Sequence, residues 1–187
     1  MQAQTAVVSP HALALRRALA VVLGAALVAA AAQIAIPLPG TPVPVTLQPL
    51  AVLLVGGLLG APLGAASMLL YLAAGAAGLP VFTPFGVPGL GRLLGPTGGY
   101  LLAYPLAAFA VGKLGADARR WSRVAAAVLV GLALIHLGGL AQLVILTGSA
   151  TQAARLGTLP FLLGDLGKLA IAVLVLKRTA SPVRARL

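Results

Sequence analysis

Cysteine is absent from this chain, and acidic and aromatic residues are scarce. The 187 residues include no Cys, two acidic side chains and 4% aromatic side chains. Without Cys the chain has no disulfides, iron–sulfur clusters or thiol nucleophiles. Two acids are too few for an aspartate-rich metal site together with a base, so neither a metal nor a cofactor is expected. The few aromatic residues do not alternate with basic ones, which argues against a nucleic-acid partner.

Phosphate-binding and hydrolytic motifs are missing as well. No GxxxxGK[ST], HExxH or GxSxG sequence occurs, and Gly112-Lys113-Leu114 lacks both the glycine spacing and the hydroxyl of a phosphate-binding loop. The chain is therefore not expected to be an enzyme or to carry an ATPase of its own. If it moves a solute uphill, we expect the energy to come from another subunit or from an ion gradient.

Charged residues are few, and apolar residues dominate. Only 8% of the chain is charged, against about 25% in soluble globular domains. Hydrophobic residues make up 60%, and the mean hydropathy is +1.08. A soluble domain of this length exposes too much of its surface to hide so many apolar side chains. The composition predicts a single membrane domain covering residues 1–187.

Long apolar runs divide the chain into helices that match the thickness of a bilayer. The stretch from Leu47 to Leu79 is too long for one helix, and Gly60-Ala61-Pro62 predicts a turn near its middle. The sequence thus predicts an all-α bundle of six transmembrane helices. The predicted spans cover about residues 15–36, 47–60, 61–79, 99–115, 122–146 and 158–177.

Basic residues predict how this bundle is oriented, because loops on the cytoplasmic side of a membrane are rich in Lys and Arg. With a cytoplasmic N-terminus, only Arg92 and Arg155 fall outside, while Lys168 lies within the last span. The residues that then fall inside are Arg16, Arg17, Lys113, Arg119, Arg120, Arg123, Lys177, Arg178, Arg184 and Arg186. This bias predicts a multi-pass protein of the cell membrane with both termini cytoplasmic.

A cleaved secretory signal is the alternative for the first span. A basic pair, an apolar run and the alanines at 29–32 imitate such a signal. Cleavage there leaves five spans. The uncleaved chain already satisfies the charge rule, so we favour six.

Two long segments rich in Pro and Gly are predicted on the external side. The first loop segment, residues 33–48, contains regularly spaced prolines that exclude a helix. It is either a lid folded on the bundle, with Gln33, Thr46 and Gln48 available for hydrogen bonds, or a stiff connector. The second loop segment, residues 78–100, has apolar residues throughout, which favours burial on the bundle. Its one charge, Arg92, either binds a ligand, anchors the loop or lies at the surface.

The last predicted span carries two ionisable residues, Asp165 and Lys168. They are three residues apart, so they share one helical face and can pair. Ionisable groups inside a span are costly and usually face a partner or a cavity. The pair is either a structural ion pair or, as we favour, part of a polar site near the external end of this span. For His136, in the fifth span, packing between helices is favoured over ligand binding.

Small residues spaced four apart mark one face of the first span. The pairs Ala25 with Ala29 and Ala26 with Ala30 allow another helix to approach closely. That helix belongs either to the same bundle or to another subunit.

These segments together resemble the BioY family, the biotin-binding membrane subunits (S components) of energy-coupling-factor (ECF) transporters. The matching stretches are QIAIPLPGTPVPVTLQPLAVLLVGGLLG at 33–60, YLAAGAAGLPVF at 71–82, GPTGGYLLAYPLAA at 95–108 and PFLLGDLGKLAIA at 160–172. The resemblance implies six helices with an external biotin pocket. It also implies that the alanine face of the first helix docks on a transmembrane coupling subunit driven by two cytoplasmic ATPases.

The resemblance also implies which residues bind. Asp165 and Lys168 match the family's polar pair, Arg92 matches its basic loop residue, and Gln48 and Tyr71 lie in matching stretches. In this scheme Asp165, with Lys168 or a glutamine, satisfies the ureido group of biotin, and Arg92 binds its carboxylate. The apolar walls would come from Phe82, Phe85 and Tyr100.

Three alternatives to a biotin-capturing subunit stay open. In the first, the protein binds another vitamin-like solute, such as lipoate or a biotin precursor. In the second, it is an intramembrane enzyme acting on a lipid-linked substrate. In the third, it is a structural subunit without a ligand. The scarcity of acids argues against the enzyme, and the polar pair argues against the structural subunit.

Overall fold

The computed structural model describes residues 9–116 and 120–187, so Arg119, one of the predicted cytoplasmic residues, lies outside the described part. The described chain is mostly helical. In chain order its elements are α1 (Pro10–Gln33), β1 (Ala35–Ile36), β2 (Val45–Thr46), α2 (Gln48–Leu59), α3 (Ala61–Ala76), α4 (Leu90–Leu94), α5 (Gly98–Leu114), α6 (Trp121–Thr147), α7 (Ala150–Gly157), a 3-10 turn (Leu159–Phe161) and α8 (Leu162–Arg184).

Six of these helices coincide with the predicted spans, but several boundaries differ. The prediction of helix over residues 34–36 was wrong: α1 ends at Gln33, and Ala35–Ile36 pairs with Val45–Thr46 as a short antiparallel hairpin. Pro37 disfavours a helical conformation in the residue before it, which explains the early end. The last helix begins later than predicted, after the 3-10 turn that contains Pro160, and continues to Arg184. The hairpin and the short helices α4 and α7 were not predicted.

The chain reverses direction between α2 and α3 at a single residue. Gly60 has φ +82° and ψ 174°, a backbone conformation that essentially only glycine adopts. Four residues to either side, Gly56 and Gly64 are in contact, since a Cβ on Gly64 would lie 2.9 Å from the Cα of Gly56. In a continuous helix these two residues would be two turns apart. The predicted turn at this position is confirmed.

Most basic residues lie at one end of the bundle, called here the basic end. There Arg17 Nε donates to the carbonyl oxygen of Leu187 (2.8 Å), which brings the start of α1 to the chain terminus. Arg184 Nε donates to the Gly57 carbonyl (2.8 Å), and its Nη1 donates to that of Gly115 (3.3 Å). These bonds join the end of α8 to α2 and to the end of α5.

The other end, called here the cavity end, carries the two loop segments. Both fold against the helices. In the first, Thr41 Oγ1 donates to the Leu156 carbonyl of α7 (2.6 Å). Gln33 Nε2, at the end of α1, donates to the carbonyl of Phe82 in the second (3.1 Å). These contacts support the lid interpretation of the first segment over a connector that stands clear of the bundle.

Two clusters of buried side chains form the core, one towards each end. The cluster at the basic end includes Leu53, Val128 and Leu176, which come from α2, α6 and α8. The larger cluster surrounds the cavity end and includes Tyr71, Phe82 and Tyr104 among its members.

The outer surface of the bundle is apolar. Large side chains such as Leu23, Ile145 and Leu163 are exposed. Three stretches, Pro10–Gln33, Trp121–Thr147 and the interrupted helix Ala150–Arg184, are long and apolar enough to cross a membrane. Gln48–Leu59 and Ala61–Ala76 are apolar but shorter.

Candidate functional site

A cavity of about 580 Å³, including its open mouth, lies at the cavity end between the first loop segment and the helices α2, α5, α6 and α8. Most of its wall is apolar, with a small number of polar groups, which is the usual form of a small-molecule site. The lining residues are Val43, Pro44, Thr46, Gln48, Pro49, Phe82, Thr83, Thr97, Tyr100, Leu101, Tyr104, Ile135, His136, Phe161, Asp165 and Lys168.

The charged part of this wall is a cluster of three side chains centred on Asp165. One carboxylate oxygen, Oδ1, accepts from Lys168 Nζ at 2.9 Å, and the other, Oδ2, lies 2.7 Å from His136 Nε2. Asp165 is 4% exposed and Lys168 is 8% exposed. Asp165 stands in the first turn of α8, where the positive end of the helix dipole favours a carboxylate. Hydrogen bonds at both oxygens offset the cost of burying this charge.

A second polar group enters the cavity from the start of α2. Gln48 is buried, and its Nε2 donates to the Tyr71 hydroxyl oxygen at 2.6 Å. Thr46 Oγ1 donates to Gln48 Oε1 at 3.3 Å and accepts from the Gln48 backbone N–H at 3.2 Å. Tyr71 itself does not line the cavity. Tyr71, which was predicted to bind the ligand, therefore contacts Gln48 and lies behind the wall of this cavity.

Aromatic rings form the apolar part of the wall. Phe82 lies edge-on to Tyr71, with 5.4 Å between the ring centroids, and it fits against Gly75, where any Cβ would overlap its ring. Tyr100 is fixed by a hydrogen bond from its hydroxyl to the Gly157 carbonyl (2.6 Å). Together with Phe161 these rings offer flat surfaces for an apolar ligand.

Arg92 does not reach this cavity. Three of its N–H groups bond to the loop around it: Nε to the Val87 carbonyl (3.1 Å), Nη1 to Thr83 Oγ1 (2.9 Å) and Nη2 to the Thr83 carbonyl (2.9 Å). Burial lowers the pKa of the guanidinium from its ordinary value. Of the roles predicted for Arg92, the structure shows loop anchoring directly, and a surface position is wrong because the side chain is buried.

A second cavity, of about 750 Å³ with its open mouth, adjoins the first one under the two loop segments. The two cavities share Pro44 and Thr97. Arg92 and Phe85 line the second cavity and not the first. A ligand that contacts both Asp165 and Arg92 must therefore extend across the boundary between the two cavities.

The structure brings together Asp165, Lys168, Gln48, Phe82 and Tyr100, all of which were predicted from the sequence. His136 was missed as a site residue, because a single His among apolar residues of a helix is more often a packing residue. The sequence feature that could have identified His136 is the scarcity of hydrogen-bond donors for Asp165 in the apolar runs. An acid buried in one helix needs donors, and His136 is one of few ionisable residues in the other long apolar runs.

The alanine face of α1 is divided by the packing of the bundle. Ala25 is buried at 8% exposure and Ala29 is half-buried against the core, whereas Ala26 and Ala30 are exposed. Ala25 is therefore unavailable to a second subunit, which corrects one of the two predicted registers. No group of three or more His, Cys, Asp or Glu that could hold a metal ion occurs within residues 9–116 and 120–187.

Comparison with known proteins decides the family. The model of the BioY family matches residues 2–185, almost the whole chain. The chain belongs to the BioY family. The resemblance found in the sequence motifs is thus confirmed.

Several BioY relatives cover most of the chain. The probable biotin transporter BioY of Pyrococcus horikoshii is 42% identical over 158 residues, 84% of this chain and 92% of its own length. The biotin transporter BioY of Thermotoga maritima is 38% identical over 153 residues, 82% of this chain and 89% of its own length. Because BioY proteins are named as transporters, this family member is a transport protein and not an enzyme. The intramembrane-enzyme alternative is wrong.

A solved structure shares the fold. The crystal structure of the S-component for biotin from an ECF-type ABC transporter superposes with a TM-score of 0.81 and 27% sequence identity. The alignment covers 92% of this chain and 94% of that one. With its long apolar helices, this BioY chain is an integral membrane protein.

Proposed function

We propose that the chain is the S component of an ECF transporter, which captures biotin at the cavity end and delivers it to the cytoplasm. The observation that carries the proposal is the buried cluster of His136, Asp165 and Lys168 in the wall of a mostly apolar cavity. The transporter names of the relatives and the biotin S component of the same fold support the choice of ligand.

The cluster suits the ureido group of biotin, which offers two N–H donors and one carbonyl acceptor. An ionised carboxylate has about four lone-pair sites. His136 and Lys168 use two of those on Asp165, so the carboxylate can still accept from one of the two ureido N–H groups, which point away from each other. Lys168 has three N–H donors and gives one to Asp165, which leaves donors for the ureido carbonyl. Gln48 likewise keeps one amide N–H beyond its bond to Tyr71.

The shape of the two cavities suggests where the rest of the ligand lies. The bicyclic ring packs between Phe82, Tyr100 and Phe161 in the first cavity. The valerate chain then passes Pro44 and Thr97 into the second cavity, where the carboxylate meets Arg92. Since a guanidinium has five N–H donors and the loop uses three, two remain for a carboxylate. Arg92 thus both shapes the second loop segment and neutralises the ligand.

We further propose that six helices, α1, α2, α3, α5, α6 and α8, cross the cell membrane with both termini in the cytoplasm. Basic residues collect at the end where α1 begins and α8 finishes, and this distribution supports a cytoplasmic basic end. The cavity end then faces the outside, where the solute arrives.

Uptake requires energy that this chain does not supply, because it has no nucleotide-binding motif. We propose that a transmembrane coupling subunit with two cytoplasmic ATPases provides it. The exposed pair Ala26 and Ala30 on α1 supplies the small-residue face on which the coupling subunit packs.

The test is equilibrium binding of labelled biotin to the detergent-purified chain by itself, with desthiobiotin and lipoate as competitors. Saturable binding that prefers biotin supports the proposal. Preference for lipoate assigns the site to another vitamin-like solute, and absence of binding by a folded sample contradicts capture by the isolated chain.

A further inference from the structure

His136 contributes a contact between helices that the rest of the charged cluster lacks. Lys168 and Asp165 are both on α8, three residues apart, so their ion pair lies within one helix. His136 lies on α6 and reaches Asp165 Oδ2 at 2.7 Å. Among the described residues, this hydrogen bond is the one that ties the Asp165 carboxylate to a second helix.

The two ring nitrogens of His136 have different surroundings. An ionised carboxylate only accepts hydrogen bonds, so Nε2 carries the proton that it donates to Asp165. Nδ1 is buried and has no hydrogen-bond partner among residues 9–116 and 120–187. With one nitrogen occupied and the other shielded, the ring has no polar atom left for a ligand. Its influence on a ligand must therefore pass through Asp165.

The Tyr100 ring restricts His136 further. The two rings meet edge to face, with centroids 6.2 Å apart, and Tyr100 is itself fixed by its hydroxyl bond to Gly157. The imidazole is thus packed against the Tyr100 ring and hydrogen-bonded to Asp165 through Nε2. This arrangement favours one orientation of the carboxylate.

We propose that His136 is a positioning residue that holds the Asp165 carboxylate in the orientation that accepts an N–H group of a cyclic urea. The two N–H bonds of a cyclic urea point away from each other, so the carboxylate accepts from one of them, and the accepting oxygen must point at that N–H. Lys168 restrains Oδ1, His136 restrains Oδ2, and together they remove the rotation that binding would otherwise have to stop. The inference rests on the proposed function, because biotin is the cyclic urea in question.

The test compares three variants of the full chain. His136→Leu removes the donor. His136→Gln keeps an N–H near the position of Nε2, whereas the amide of His136→Asn is too short to reach Asp165. We expect His136→Leu to weaken biotin binding by about ten- to a hundredfold, the range for losing a buried hydrogen bond to a charged group. We expect His136→Gln to stay within about threefold of the unmodified chain and His136→Asn to resemble His136→Leu.

Two further ligands separate positioning from general loss of structure. Each is a biotin methylated at a different ureido nitrogen, so one of them lacks the N–H that Asp165 accepts. In the unmodified chain biotin should bind better than that analogue, and in His136→Leu this preference should fall by about tenfold or more, while the preference over the other analogue stays unchanged. As a matched control, Val128→Ala shortens a buried side chain of α6 in the core cluster at the basic end. It should lower thermal stability and leave the preference unchanged.

The outcomes are distinguishable. If the unmodified chain does not bind biotin, the proposed function fails. If it binds biotin but His136→Leu weakens biotin and both analogues equally, or leaves all three affinities unchanged, the positioning role is overturned. Where His136→Leu does not fold, the Gln and Asn variants decide, since equal affinities in those two would also overturn it.

Discussion

At the scale of single residues, the proposed binding chemistry depends on one carboxylate. Asp165 is one of two acids in 187 residues, and its two oxygens are bonded to an ammonium and an imidazole. Burying a charge is costly unless it is paired and hydrogen-bonded. Asp165, Lys168 and His136 therefore each rely on the others for their hydrogen bonds. Removing any one leaves a buried group without its partner.

We expect Asp165→Asn and Lys168→Ala each to weaken biotin binding at least about tenfold, or about 1.4 kcal/mol. Asp165→Asn replaces an oxygen that accepts by an amide that donates, and Lys168→Ala leaves the carboxylate without its ammonium. Equilibrium binding on purified variants measures both effects. Arg155→Ala, which changes an exposed basic residue at the cavity end, is the control. Unchanged affinity in both variants would make the pair purely structural.

At the scale of elements, one side chain joins several parts of the second loop segment. Arg92 bonds to three oxygens of residues that are five and nine positions away in the chain. The guanidinium can do this because its donors form a rigid planar fork, whereas a lysine ammonium is a compact group on a flexible stem. A lysine at this position would therefore keep the charge but not the three hydrogen bonds.

We expect Arg92→Lys to loosen the loop although it conserves the charge. Amide hydrogen exchange of residues 83–88 should become faster, and biotin affinity should fall by about tenfold, since hydrogen bonds to charged groups contribute about 1.5–3 kcal/mol. Arg155→Lys is the matched control and should change neither measurement. If Arg92→Lys binds biotin normally and its loop exchanges as before, the anchoring role is refuted.

A second element-scale prediction concerns the turn between α2 and α3. Gly60→Ala should lower stability by about 1–3 kcal/mol, because the conformation at φ +82° and ψ 174° is strained for any residue with a Cβ. The cost is conformational, since a Cβ at Gly60 would meet no atom within 4 Å. Gly167→Ala is the control: it also has open space but lies inside α8, where Ala is favoured over Gly by about 1 kcal/mol. The midpoint temperature of thermal unfolding in detergent should fall for Gly60→Ala and rise for Gly167→Ala.

At the scale of the whole molecule, the cavities and most basic residues lie at opposite ends of one bundle. Both cavities lie at the cavity end, whereas the bonds of Arg17 and Arg184 close the basic end. The exposed side of α1 runs between the two ends and presents Ala26 and Ala30 among large apolar side chains. A coupling subunit seated there would touch neither cavity.

We therefore expect Ala26→Trp and Ala30→Trp to abolish biotin uptake by cells that also make the coupling module, because a large ring prevents close helix packing. Biotin binding to the purified variants should remain unchanged. Leu129→Trp places the same ring on an exposed position of α6 and is the control for bulk. Normal uptake by both alanine variants would exclude this face as the docking site.

The sequence by itself determined the features that depend on neighbouring residues along the chain. Apolar runs predicted where α1, α2, α3, α5, α6 and α8 lie, proline excluded helix from the first loop segment, and glycine marked the reversal at Gly60. The Asp165–Lys168 pair was also predictable, because residues three apart share a helical face whatever surrounds the helix. The resemblance to the BioY family added the prediction of the ligand and of the site residues in the second loop segment.

Only the tertiary structure decided how the helices are turned towards one another. Helical periodicity says which residues share a face, but the packing of all helices determines where that face points. For this reason the sequence left the two alanine registers open and did not specify that His136 would meet Asp165 across 29 residues of chain. Contacts within a helix follow from local spacing. When a buried charge has its partner on a different helix, the packing of the bundle determines which residue that partner is.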